Sequence, residues 1–104
     1  MKSVLTIIAS LLLSLTASAA GLNGKDLYNQ KTCNACHGVE GKKPIMPDYP
    51  RVAGQNKDYI IKQIQDIKSG ARANGNSAAM KGVLHLVNDE EIKAIAEYLS
   101  KLKP

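Results

Sequence analysis

The sequence predicts an all-α domain of three main helices joined by irregular loops. Three segments place apolar residues at the spacing of an amphipathic helix, around Leu27, from Tyr59 to Ile67, and from Ile92 to Leu102. The stretches between them concentrate glycine, proline, asparagine and serine, which interrupt regular backbone. No segment alternates apolar and polar residues with the period of two that would build a half-buried sheet.

Residues 1–20 read as an export signal that is removed. Lys2 supplies a positive start, Val4 to Leu15 is almost wholly apolar, and Ala17, Ser18, Ala19 and Ala20 supply the small residues of a cleavage site. The apolar run is short for a membrane span and closes on small residues, which favours a cleaved signal over a retained anchor. Cleavage is expected before Ala20 or Gly21, and no cysteine stands there to take a lipid anchor. Removing 20 of the 104 residues leaves 84, a single small domain over 21–104.

The first helix is expected to start at Asn23, an N-cap with Asp26 in the first turn, and to run through Leu27 and Tyr28 to about Lys31. The second starts near Lys57 and Asp58. Its inner face is Tyr59, Ile60, Gln63, Ile64 and Ile67, and Gly70 ends it. The third opens on a capping box, Asn88 with Glu91, and Asp89 and Glu90 suit its positive end. Ile92, Ile95, Ala96, Leu99 and Leu102 form its apolar stripe. Between the helices, Gly38 to Gln55 holds Pro44, Pro47 and Pro50 and should be irregular. Gly70 to Ala79 should be extended or loosely turned as far as Met80.

The formal charge is +5, and +4 without Lys2. The lysines are spread along the chain, with no basic arm or nucleic-acid motif, which argues against a nucleic-acid partner. A lysine-bearing face suits acidic protein partners, with plain solvation as the alternative. There is no Trp or Phe and there are only four tyrosines. A domain this small struggles to bury enough apolar surface and commonly carries a staple.

Cys33-Asn34-Ala35-Cys36-His37 supplies one. Two cysteines three apart followed by histidine form the attachment signature of a c-type haem. Residues i and i+3 share a helix face, so both thiols can form thioethers to one porphyrin. The imidazole of His37 can then reach the iron. A Cys33–Cys36 disulfide is the first alternative, but such redox motifs follow a strand and no β-α-β pattern is present. A zinc site needs four ligands, and the two histidines lack finger spacing because His85 is far downstream. A porphyrin would also provide the large flat apolar body that the composition lacks.

A low-spin haem needs a second axial ligand. Once Met1 leaves with the signal, Met46 and Met80 remain. Met46 is nine residues past His37 in the proline-rich loop, too close to reach the far haem face easily. Met80 is 43 residues past His37 and follows a loop long enough to cross the haem, so spacing favours it. His85, within the Val83-Leu84-His85-Leu86-Val87 run, is the third candidate, and ligation through it would lower the potential.

These residues resemble the class I c-type cytochromes, and most closely the short bacterial single-haem proteins and each half of the two-haem ones. The likeness runs from about Gly24 to Leu99. Cys33 to Gly38 is its most specific part. Pro50-Arg51-Val52-Ala53-Gly54-Gln55 is similar to a Pro-x-Leu-Ala-Gly-Gln segment of that branch, and Gly70-Ala71-Arg72 to a Gly-x-Arg that ends the middle helix. Met80-Lys81-Gly82-Val83 resembles the ligand-methionine loop, and Asn88 to Leu99 the terminal helix, with Val87 and Asn88 as mild departures.

The resemblance implies a small cytochrome c fold wrapped around one covalent haem c and its iron. It makes Cys33 and Cys36 the thioether anchors, His37 and Met80 the axial ligands, and Pro50 the residue whose carbonyl accepts from His37 Nδ1–H. Gly24 and Tyr28 match the residues that cross the last helix at Ile95 and Tyr98. The function it implies is one-electron transfer in the periplasm, not catalysis. Its partners would be redox proteins, membrane-bound respiratory complexes or periplasmic reductases, and the protein is expected to be a monomer without stable membrane insertion. The rival is a haem sensor or peroxidase-like enzyme with a labile sixth ligand, although no distal histidine–arginine pair is evident.

Overall fold

The computed structural model describes residues 21–104, so the expected export signal lies outside the described residues. The helices are α1 (Gly24–Gln30), α2 (Cys33–His37), α3 (Lys57–Ser69), α4 (Ser77–Leu84) and α5 (Asp89–Ser100), with one 3-10 turn at Val39–Gly41. Among the described residues there is no strand, and no helix is long and apolar enough to cross a membrane.

Local chemistry sets the helix starts. Asn23 Oδ1 accepts from the Asp26 N–H at 3.1 Å and opens α1. Asn88 Oδ1 accepts from the Glu91 N–H at 2.9 Å while the Asn88 N–H donates to Glu91 Oε1 at 3.1 Å, so the expected capping box is present. Asn56, which sequence reasoning passed over, caps α3 by accepting from the Tyr59 N–H at 3.0 Å. Gly70 ends α3 in the left-handed conformation.

The core lies where α5 meets α1 and α3. Leu27 and Tyr28 of α1, Ile60, Ile64 and Ile67 of α3, and Ile92, Ile95, Ala96 and Leu99 of α5 are buried together, joined by Leu84 and Val87. At the α1–α5 crossing, the Tyr28 and Tyr98 rings are 5.9 Å apart and tilted by 55°, within the geometry aromatic pairs prefer. The Lys68 ammonium donates to the Val87 carbonyl and ties α3 to the α4–α5 connection.

Two expectations change. Tyr59 and Gln63 do not enter the core: Tyr59 is 52% exposed, and both line an open cavity. The apolar stripe of α3 is wide enough to serve α5 with one edge and the cavity with the other. The segment before Met80 is not irregular throughout, because α4 begins at Ser77 and carries Met80 mid-helix. Ala78, Ala79 and Met80 are good helix formers, and they outweigh the preceding glycine and asparagines. At the other end of the chain, Leu102 packs on the core just beyond the end of α5.

Candidate functional site

The short helix α2 is held between two left-handed residues, Thr32 (φ 63°) and Gly38 (φ 82°). Gly38 is required there: a Cβ would sit 2.0 Å from the Lys43 carbonyl oxygen. Two hydrogen bonds lock the turn. The Ile45 N–H donates to the Cys36 carbonyl at 3.1 Å, and the buried Tyr28 hydroxyl donates to the Gly38 carbonyl at 2.6 Å. The end of α2 is therefore anchored to α1 and to the loop that follows it.

His37 Nδ1 lies 2.9 Å from the Pro50 carbonyl oxygen. The carbonyl can only accept, so Nδ1 carries the proton and Nε2 is left with its lone pair. Beside His37 is a cavity of ≈ 540 Å³, within the roughly 300–1,000 Å³ of small-molecule and cofactor sites. Its walls come from Cys33, Cys36 and His37 of α2, from Tyr49 to Val52 of the loop, from Tyr59, Ile60, Gln63 and Ile67 of α3, and from Met80, Val83 and Leu84 of α4.

The structure thus brings Cys33, Cys36, His37, Pro50 and Met80 to one cavity. Met46 and His85 do not line it, and Met46 stands out in the loop, 46% exposed. Cys33 and Cys36 are not joined to each other in a disulfide. Burial pushes the Cys33 thiol up to about 11, opposite to the depressed values that activate thiols for disulfide exchange. Among the described residues no three His, Cys, Asp or Glu side chains gather into a metal-binding group, so the zinc alternative lacks its ligands. Two thiols on one helix face, a histidine of fixed tautomer, a thioether and apolar walls fit a covalently bound haem.

Sequence reasoning missed two polar pairs on this cavity. Arg72 Nη1 donates to Gln63 Oε1 at 2.9 Å, and Asn76 Nδ2 donates to Asp48 Oδ2 at 2.5 Å. Arg72 had a signal in the Gly70-Ala71-Arg72 motif. Asp48 and Asn76 had none, being 28 residues apart.

Tyr28 offers a direct test of the α2 anchor. Tyr28→Phe keeps the ring and removes one of two donors to the Gly38 carbonyl, which still accepts from the Gly41 N–H at 3.1 Å, at a cost of about 0.5–1.5 kcal/mol in denaturant unfolding. Burial also raises the Tyr28 phenol above its ordinary 10.0. Its contribution is complete below that value and is lost as pH rises past it, because only the unfolded chain then releases the proton. Tyr28→Phe should accordingly lose less stability than the wild type above pH ~10.

The cytochrome c family profile matches residues 22–103. Cytochrome c4 of Stutzerimonas stutzeri is 36% identical over 107 residues, which cover 93% of this chain and 50% of that protein. Cytochrome c-553 of Nitratidesulfovibrio vulgaris is 35% identical over 99 residues, covering 95% of this chain and 94% of that protein. The crystal structure of reduced recombinant cytochrome c4 from Pseudomonas stutzeri superposes with a TM-score of 0.60 at 33% identity, over 79% of this chain and 47% of that one. The chain spans about half the length of the cytochrome c4 relatives it matches. The chain belongs to the cytochrome c family, and membership implies a covalent haem c with its iron.

Proposed function

We propose that this member of the cytochrome c family is a periplasmic one-electron carrier whose single haem is tethered by Cys33 and Cys36 and ligated by His37 and Met80. One observation carries the reading: a single cavity gathers Cys33, Cys36, His37 and Met80, and the His37 Nδ1–H is already committed to Pro50. The bound haem supplies an iron that cycles between two oxidation states.

The residues do the rest. Cys33 and Cys36 on successive turns of α2 hold the porphyrin through two thioethers. The Nδ1–H of His37, held by Pro50, fixes the ring orientation and makes Nε2 the better donor. The soft Met80 thioether favours the ferrous state and raises the potential. Val52, Ile60, Ile67, Val83 and Leu84 would give the bound haem apolar surroundings, which keeps the reorganisation around a changing charge small. Two strong protein ligands leave no position for dioxygen or peroxide, and this separates a carrier from the sensor or peroxidase alternative.

The export signal read at 1–20 supports the periplasmic location. Partners are redox proteins, membrane-bound respiratory complexes or periplasmic reductases, met in brief, salt-sensitive encounters by a monomer. Protein matured with export and haem-ligation machinery is expected to keep its red pigment through acid-acetone extraction. Once reduced, it should take up no carbon monoxide at neutral pH. A colourless product would remove the haem, and rapid carbon monoxide uptake would favour the sensor.

A further inference from the structure

Asn23, Asn56 and Asn88 precede α1, α3 and α5 and each accepts from a backbone N–H three residues on. Asn76 also precedes a helix, α4, but its backbone (φ −85°, ψ 13°) is not extended as theirs is, and its side chain makes no capping bond. Its amide instead reaches out to Asp48 Oδ2 at 2.5 Å. Both residues line the haem cavity, and Asp48 is its one carboxylate among the described residues. None of the ion pairs among the described residues involves Asp48.

The placement of this bond gives it a role. Asp48 is two residues before Pro50, whose carbonyl holds His37. Asn76 is one helical turn before Met80. The bond therefore joins the loop that braces one proposed ligand to the helix that carries the other. We propose that Asp48 and Asn76 are positioning residues, a strap across the cavity rim that holds α4, and with it Met80, in place over the haem. Moving α4 far enough to free the thioether requires this carboxylate–amide bond to break, so the strap slows loss of Met80 from the iron. The inference rests on the reading of Met80 as a ligand.

The test uses ferric holoprotein and saturating imidazole, where loss of the near-infrared methionine–iron band reports release of Met80. Asp48→Ala and Asn76→Ala are expected to keep the band at rest and to lose it about three- to fivefold faster, the effect of an exposed charged contact. The double variant should be no faster than either single variant. Asp48→Asn, which keeps an acceptor, should stay near the wild-type rate. Asn88→Ala weakens the fold at the α5 cap and should leave the rate unchanged. Unchanged rates in the alanine variants, additive rates in the double, or equal acceleration in Asn88→Ala would overturn the strap while leaving the ligand intact. A band that survives Met80→Ala would overturn the ligand reading and the strap with it.

Discussion

Met80→Ala is expected to abolish the near-infrared methionine–iron band of the ferric protein and to lower its reduction potential. The fall should be on the order of 0.1 V or more, set against the roughly 0.8 V over which axial ligands place haem potentials. The cause is the loss of a soft donor that stabilises ferrous iron more than ferric. Met80 lines the cavity from α4, whereas Met46 stands in the loop, 46% exposed. Met46→Ala should therefore keep both the band and the potential. Absorption spectra and a redox titration of the two variants decide the matter, and loss of the band in Met46→Ala alone would reverse the assignment.

A large loss of stability is expected from a change at the α1–α5 crossing. Gly24→Ala places a Cβ 2.1 Å from the Ala94 carbonyl oxygen and 2.8 Å from Tyr98 Cβ. Neither neighbour is the free end of a side chain, so α1 and α5 must separate. A loss of about 3 kcal/mol is expected, at the upper end of overpacking costs, or roughly 12–24 °C in Tm for a domain of this size. Gly82 provides the contrast. It lies inside α4, and a Cβ there meets nothing within 4 Å. Gly82→Ala should stabilise the holoprotein by about 0.5–1 kcal/mol through helix propensity alone. Thermal unfolding of the two variants should shift in opposite directions, and equal shifts would contradict the close α1–α5 crossing.

The parts of the fold written in adjacent residues were legible. The Asn88–Glu91 capping box, the Gly70 stop and the α5 stripe depend on contacts within a turn or two, and each was readable from spacing. The cysteine–histidine motif was legible for the same reason, since five consecutive residues carry its chemistry. What escaped depends on the tertiary surroundings. Asn76 is a capping-type residue before α4, but it follows a Gly- and Asn-rich run that reads as loop, and its amide turns across to Asp48, a pairing that local sequence does not encode. Tyr59 and Gln63 have core spacing but face the cavity, because periodicity shows which face of a helix is covered and not what covers it. The assignment of Pro50 came from resemblance, and the 2.9 Å approach of its carbonyl to His37 depends on a loop path that no local pattern encodes.

The cavity of ≈ 540 Å³ lies between α2 and its loop on one side and α3 and α4 on the others. Protein interiors are packed as densely as organic crystals, so a cleft of this size is shaped for a large body and not for solvent. In a domain of so few residues, whatever fills that gap bears load: it joins the two sides of the molecule through its own flat faces. The two sides of the molecule are therefore expected to depend on that body for their cohesion. A molecule stripped of its colour should melt in stages where the finished one melts at once.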